Sequence, residues 1–155
     1  MNRVRSFLAA AALGAAGTAT VARAQSTAPT ARVSHATAVG VRRSSLGTIL
    51  VSSSGRTLYE FTRDHAGMSS CASISGCSEA WPALKTTGKP SARSGVKASL
   101  LSSINLPGGG KQATYAGHPL YLYAGDSGPA ETSYVGVKEF GGSWYALNAS
   151  GHAVK

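Results

Sequence analysis

The chain has 155 residues, with 15 Lys+Arg against 6 Asp+Glu, 2 Cys and 19 Gly. Only 14% of residues are charged and 43% are hydrophobic, and the formal net charge is +9. That length excludes a large multidomain enzyme, and the apolar share excludes a wholly disordered chain.

The N-terminus reads as an export signal. Met1-Asn2-Arg3-Val4-Arg5-Ser6 is basic, an apolar run follows from Phe7 to Val21, and Ala22-Arg23-Ala24 is a small-x-small site. These are the three parts of a secretory signal peptide over residues 1–24, cleaved after Ala24. The run is rich in Ala and Gly, too short and too weakly apolar to span a bilayer, and no later segment reaches spanning length. No cysteine stands at the cleavage site to carry a lipid anchor. The expected location is the periplasm or the medium outside the cell. Cleavage would remove Arg3, Arg5 and Arg23 and no acid, lowering the net charge from +9 to +6. The remaining cations are scattered, Arg42-Arg43 being the one adjacent pair, and the aromatics lie elsewhere. This argues against a nucleic-acid surface and leaves solubility and attraction to anionic envelope polymers.

Residues 25–38 are rich in Ala, Thr and Ser and read as a flexible leader, followed by one β domain over 39–155. Leu46-Gly-Thr-Ile-Leu-Val51 and Thr57-Leu-Tyr-Glu-Phe-Thr62 carry strand formers around Ser52-Ser-Ser-Gly55, which predicts a hairpin. In the second strand Tyr59 and Phe61 share one face and Leu58 and Glu60 the other. Cys71 and Cys77 follow in C-x5-C spacing, with Gly76 giving the loop freedom to close. In an exported chain that pair favours a structural disulfide over a redox pair or a metal site. Ser78-Glu-Ala-Trp81 reads as one helical turn, capped by Ser78 or Ser75 and stopped by Pro82. Residues 85–98 read as a surface loop. Leu100–Leu106, Lys111–Tyr115, Pro119–Tyr123 and Ser143–Leu147 read as strands, separated by Pro107-Gly-Gly-Gly110, Ala116-Gly117 and a loop at 125–133. Short strands at roughly ten-residue spacing predict an all-β sandwich or small barrel.

The chain also repeats itself. Gly55-Arg-Thr-Leu58-Tyr59-Glu-Phe61-Thr-Arg-Asp64 aligns with Gly117-His-Pro-Leu120-Tyr121-Leu-Tyr123-Ala-Gly-Asp126 at an offset of 62 residues. Trp81 lies 17 residues after Asp64, and Trp144 lies 18 after Asp126. Two related β units therefore span about residues 46–84 and 108–151. The doubled Tyr-x-aromatic-x-x-Asp pattern, with Leu46-Gly-Thr-Ile-Leu50, Cys77-Ser-Glu-Ala-Trp81-Pro82 and Gly117-His-Pro-Leu-Tyr121 around it, resembles a bacterial family of secreted repeats of unknown function. That family is also described as predicted lipoproteins with a Yx(FWY)xxD motif. The resemblance covers roughly Val39 to Gly151. It implies export and a β-repeat architecture but no chemistry, and without a lipidation cysteine no anchor carries over.

Two readings of the motif stand. In one, Tyr59, Phe61, Tyr121 and Tyr123 fill a sheet face while Asp64 and Asp126 accept N–H bonds from the turns that follow. In the other, the four aromatics form one wall of a ligand groove, with both aspartates as its polar ends and Trp81, Trp144 and His118 facing the same place. Gly125-Asp126-Ser127-Gly128-Pro129 resembles the nucleophile segment of chymotrypsin-like proteases, but no His and Asp partner segments accompany it. His65 and Met68 offer imidazole and thioether to copper without a complete ligand spacing. The expectation is an exported, non-catalytic binding or structural module with no cofactor, taking an anionic polymer or a small ligand. A copper- or haem-binding protein using His65, Met68 or His118 is the alternative, and a hydrolase using Asp64 with Asp126 is the third.

Overall fold

The structure, a computed structural model, describes residues 37–155. The expected signal peptide and nearly all of the expected leader lie outside the described residues. Strand β1 (Ala38–Ser44) already begins inside that leader and pairs with β2 (Gly47–Ser52) from Val39↔Ser52 to Ser44↔Gly47. Next come β3 (Tyr59–Phe61), a 3₁₀ turn at Ser70–Ser73 and helix α1 (Cys77–Ala80). Within the expected surface loop lie two-residue strands β4 (Lys85–Thr86) and β5 (Ser91–Ala92). A 3₁₀ turn at Ala98–Leu100 leads into β6 (Leu101–Asn105), β7 (Lys111–Tyr115) and β8 (His118–Pro119). The chain ends with β9 (Lys138–Glu139), β10 (Gly142–Leu147) and β11 (Ala153–Val154).

The all-β expectation holds, as two repeats with one helical turn beside the disulfide, but the strands form three small sheets. Their orders are β2-β1-β5, β11-β10-β3 with β9 on β10, and β4-β7-β6 with β8 on β7. The turn chemistry explains the joints. Ala116 and Gly117 both have positive φ, as do Phe140 and Gly141, so each makes the tight reversal that a two-residue hairpin requires. Helix α1 has Gly76, not a serine, at its N-terminal cap, and no side chain caps it.

The predicted hairpin of 46–51 with 57–62 is corrected. β2 pairs with β1, its pairing with the next segment is limited to the single bridge Val51↔Thr57, and β3 leaves to pair with β10. The reason is packing on both faces of β2. Ile49 and Val51 join one core cluster with Ala146, while Leu50 joins another with Leu58, Leu120 and Leu147. Its continuous Ile-Leu-Val run is the pattern of a strand buried on two sides.

Cys71 and Cys77 are bonded, with Cα atoms 5.3 Å apart, and both are fully buried. Closing so short a loop restricts the unfolded chain only modestly, so the Cys71→Ala/Cys77→Ala variant is expected to lose about 2 kcal/mol. Urea denaturation measures this. A midpoint unchanged from the wild type would assign the loop's stability to its packing alone.

Candidate functional site

The two motifs meet at the centre of the molecule. Tyr59 and Tyr121 face each other across an antiparallel bridge, each amide donating to the other's carbonyl at 2.9 Å. On one side Ala146 of β10 pairs with Tyr59, and on the other Ala83 pairs with Tyr121. Each motif strand is thus completed by the Trp-bearing segment of the opposite repeat. Trp144 pairs with Phe61, and the stretch around Trp81 follows Tyr121, with Leu122 donating to the Pro82 carbonyl at 2.9 Å. The repeats exchange strands about an approximate two-fold axis.

The side chains obey the same axis. The Trp81 and Trp144 rings stack 4.0 Å apart and 2° from parallel. Phe61 stacks on the outer face of Trp144 at 4.1 Å, and Tyr123 lies on Trp81 at 4.5 Å, backed in turn by Tyr134. Tyr59 meets Trp81 edge-on at 5.1 Å, and Tyr121 meets Trp144 edge-on at the same distance. Such edge and offset contacts suit the ring quadrupoles. Tyr59, Phe61, Tyr121, Trp81 and Trp144 are all buried, and of the motif aromatics only Tyr123 keeps appreciable exposure. The surface these rings offer a ligand is therefore small.

The aspartates close the exchange. Tyr121 Oη donates to Asp64 Oδ2 at 2.8 Å, so the tyrosine of the second motif is held by the aspartate of the first. Asp64 Oδ1 accepts the Ser70 amide at 2.7 Å, and Ser69 Oγ lies 2.8 Å from the same tyrosine hydroxyl. Reciprocally, Tyr59 Oη reaches Asp126 Oδ1, but at 3.4 Å, and shares its proton with the Glu131 carbonyl at 3.3 Å. The copies differ here. Asp64 accepts the amide of Ser70, beyond the turn that follows it, whereas Asp126 accepts no amide among the described residues and its buried Oδ2 has no partner. The Ser127 amide goes instead to Glu131 Oε2 at 2.8 Å.

Burial raises both aspartates above the usual carboxylate range, and Asp126 is pushed up to about 6. For Asp64 the Ser70 amide and Tyr121 hydroxyl oppose that rise; for Asp126 the Tyr59 hydroxyl and the charge of Arg56 do. Burial, with the carboxylate partners, raises the Tyr59 and Tyr121 hydroxyls as well, so neither is poised to lose a proton near neutral pH. Glu131 moves the other way, lowered by its bonds from Ser127.

The remaining candidates are dispersed. His118 Nδ1 lies 2.6 Å from Glu60 Oε2, on the face of β3 away from the aromatic stack. His65 and Met68 sit on an exposed loop, joined through the Met68 amide and the His65 carbonyl. Ser127 Oγ bonds Glu131 Oε1 at 3.0 Å, with no histidine partner. Among the described residues no three His, Cys, Asp or Glu side chains gather as metal ligands, and no helix is long and apolar enough to cross a membrane. Among the described residues, surface cavities of 330, 290, 350 and 520 Å³ occur; Trp81 and Tyr121 border the first of these, and neither motif aspartate lines any of the four.

Sequence reasoning missed Arg56, Glu131 and Glu139. Arg56 Nη2 donates to the Tyr123 carbonyl, and Trp81 Nε1 donates to Glu139 Oε2 at 3.0 Å. Arg56 precedes the first motif inside the aligned segment, so its position beside the repeat was the one available signal. Glu131 and Glu139 lie between Asp126 and Trp144 with no counterpart in the first copy. The model of a family described as a secreted repeat of unknown function matches residues 40–85 and 102–148. No curated protein and no solved structure matches the chain. With one copy matched on each of two segments that together exceed half its length, the chain belongs to this family of secreted repeats.

Proposed function

We propose that the protein is an exported, non-catalytic module of the cell envelope, in which the paired motifs form the frame and any ligand binds outside them. One observation supports this above the rest: Tyr59 and Tyr121 are buried, and each directs its hydroxyl to the motif aspartate of the other repeat. A carboxylate pair working on a substrate must converge on an open cleft; here Asp126 is buried, Asp64 is half-buried, and the two follow separate strands and bond different tyrosines. The test is a screen of the purified protein against chromogenic ester, peptide and glycoside substrates. No turnover is expected. Turnover that disappears in Asp126→Ala would overturn the reading.

A further inference from the structure

We infer that the groove between β1, the 52–55 turn and the segment after β5 is a binding site for a phosphorylated sugar, held by Arg42 and Arg93. The inference rests on the binding-module reading and names the ligand class of that module. β5 runs parallel to β1, pairing Val39 with Ala92, and the Arg93 amide donates to the Val39 carbonyl at 2.8 Å. That register sets Arg93 beside Gly40. A Cβ on Gly40 would lie 3.5 Å from Arg93 Cδ, so the arginine stem crosses the strand where a side chain is lacking. Arg42, two residues along β1, brings its Nε to 4.0 Å from where a Cβ on Gly55 would stand. Both arginines thus border one groove of 290 Å³, lined also by Ser52, Ser53, Ser54 and Ser94.

Its charge is unbalanced. No acidic residue lines the groove, and among the described residues the one ion pair is His118 with Glu60. The Arg56 and Arg63 guanidiniums are anchored to the Tyr123 and Phe140 carbonyls, whereas no hydrogen bond to a described residue engages those of Arg42 and Arg93. The Ser53 and Ser54 amides likewise have no acceptor among the described residues. Two guanidinium forks suit the oxygens of a phosphate, and turn amides without an acceptor add to an anion site. Ser52 Oγ and Ser54 Oγ bond each other at 2.9 Å and Ser52 Oγ accepts the Arg56 amide, whereas the Ser53 and Ser94 hydroxyls have no partner among the described residues and, as donors and acceptors alike, match the hydroxyls of a sugar. The absence of any aromatic from the lining removes the stacking platform that a single-stranded nucleic acid requires.

Calorimetric titration at fixed low ionic strength, with glucose 6-phosphate, its methyl phosphodiester, inorganic phosphate and glucose as probes, tests the site. Glucose 6-phosphate is expected to bind more tightly than phosphate, and glucose not at all. Arg42→Ala and Arg93→Ala should each weaken it about tenfold or more, the loss of one charged bidentate contact, while keeping the wild-type melting temperature. Arg43→Ala, on the neighbouring position of β1, should leave it unchanged. Binding of the diester as well as the monoester points to a unit of a phosphate-linked polymer, and binding of the monoester alone to a free sugar phosphate. Equal losses from Arg43→Ala, or phosphate binding as well as the sugar phosphate, would overturn the site in favour of general cation attraction. No binding with no turnover in the substrate screen removes this site alone, whereas turnover removes the module reading itself.

Discussion

Replacing Trp144 with alanine is expected to cost on the order of 4 kcal/mol, a large part of the stability of so small a domain. The ring has no exposed surface and lies between Phe61 and Trp81, with Tyr121 against its edge. Its backbone also carries the pairing of β10 with β3, so the cavity opens in the seam where the repeats exchange strands. Urea unfolding should show the midpoint fall by about 2 M. The two tryptophans are near equivalents, yet the milder substitutions should separate them. Trp81 Nε1 donates to Glu139, whereas Trp144 Nε1 is buried with no partner. Trp81→Phe loses a charge-assisted bond, while Trp144→Phe removes a donor that is unsatisfied already. Phenylalanine at 81 should therefore cost about 1 kcal/mol more than phenylalanine at 144. Equal losses would mean that Glu139, being exposed, adds nothing to the seam.

The same seam shows what the sequence could and could not reveal. The alternation in Leu58-Tyr-Glu-Phe61 assigns faces correctly: Tyr59 and Phe61 enter the aromatic cluster, Leu58 enters the aliphatic one, and Glu60 meets His118. The repeat was equally legible, since its matched residues occupy matched places in space. Strand partners were not. Ser52–Gly55 does turn the chain, but a turn fixes only the bonds beside it, and the partner of β3 lies more than eighty residues away in Trp144–Ala146. No local pattern records that exchange. β1 was missed because Gly40 and the Arg42-Arg43 pair interrupt its Val39-x-Val41 alternation, yet both interruptions have a place in the structure. Gly40 makes room for Arg93, and Arg42 reaches the rim of the groove.

The two motif aspartates, which occupy matched places in the repeat, are expected to respond oppositely to the same change. Asp64 uses both carboxylate oxygens as acceptors, one for the Ser70 amide and one for the Tyr121 hydroxyl. Asparagine has a single acceptor oxygen, so Asp64→Asn keeps only one of these donors, turns the Tyr121 hydroxyl toward Ser69 Oγ, and should cost about 1 kcal/mol at neutral pH. Asp126 has one long contact from Tyr59 and one orphaned buried oxygen, and burial pushes its carboxyl up to about 6 from 3.8. The folded chain therefore keeps this proton where the unfolded chain has released it. The stability this group adds is complete below about pH 4 and is lost as pH rises through about 6, a change on the order of 2 kcal/mol. Asp126→Asn preserves the shape of the protonated acid and cannot ionise. It should match the wild type at pH 4 and exceed it by about 2 kcal/mol above pH 7, with the difference opening between the two. Subtracting the two stability curves isolates this carboxyl, because Glu60 and Asp64, also raised by burial, titrate in both proteins. A gain independent of pH would show that folding does not shift this carboxyl, and a loss matching that of Asp64→Asn that Asp126 is held as tightly as its counterpart. The asymmetry has a structural origin: Asp64 accepts the Ser70 amide six residues on, whereas in the second repeat the Ser127 amide beside Asp126 goes to Glu131 and no amide turns to Asp126, leaving it desolvated without the bonds that would hold its charge.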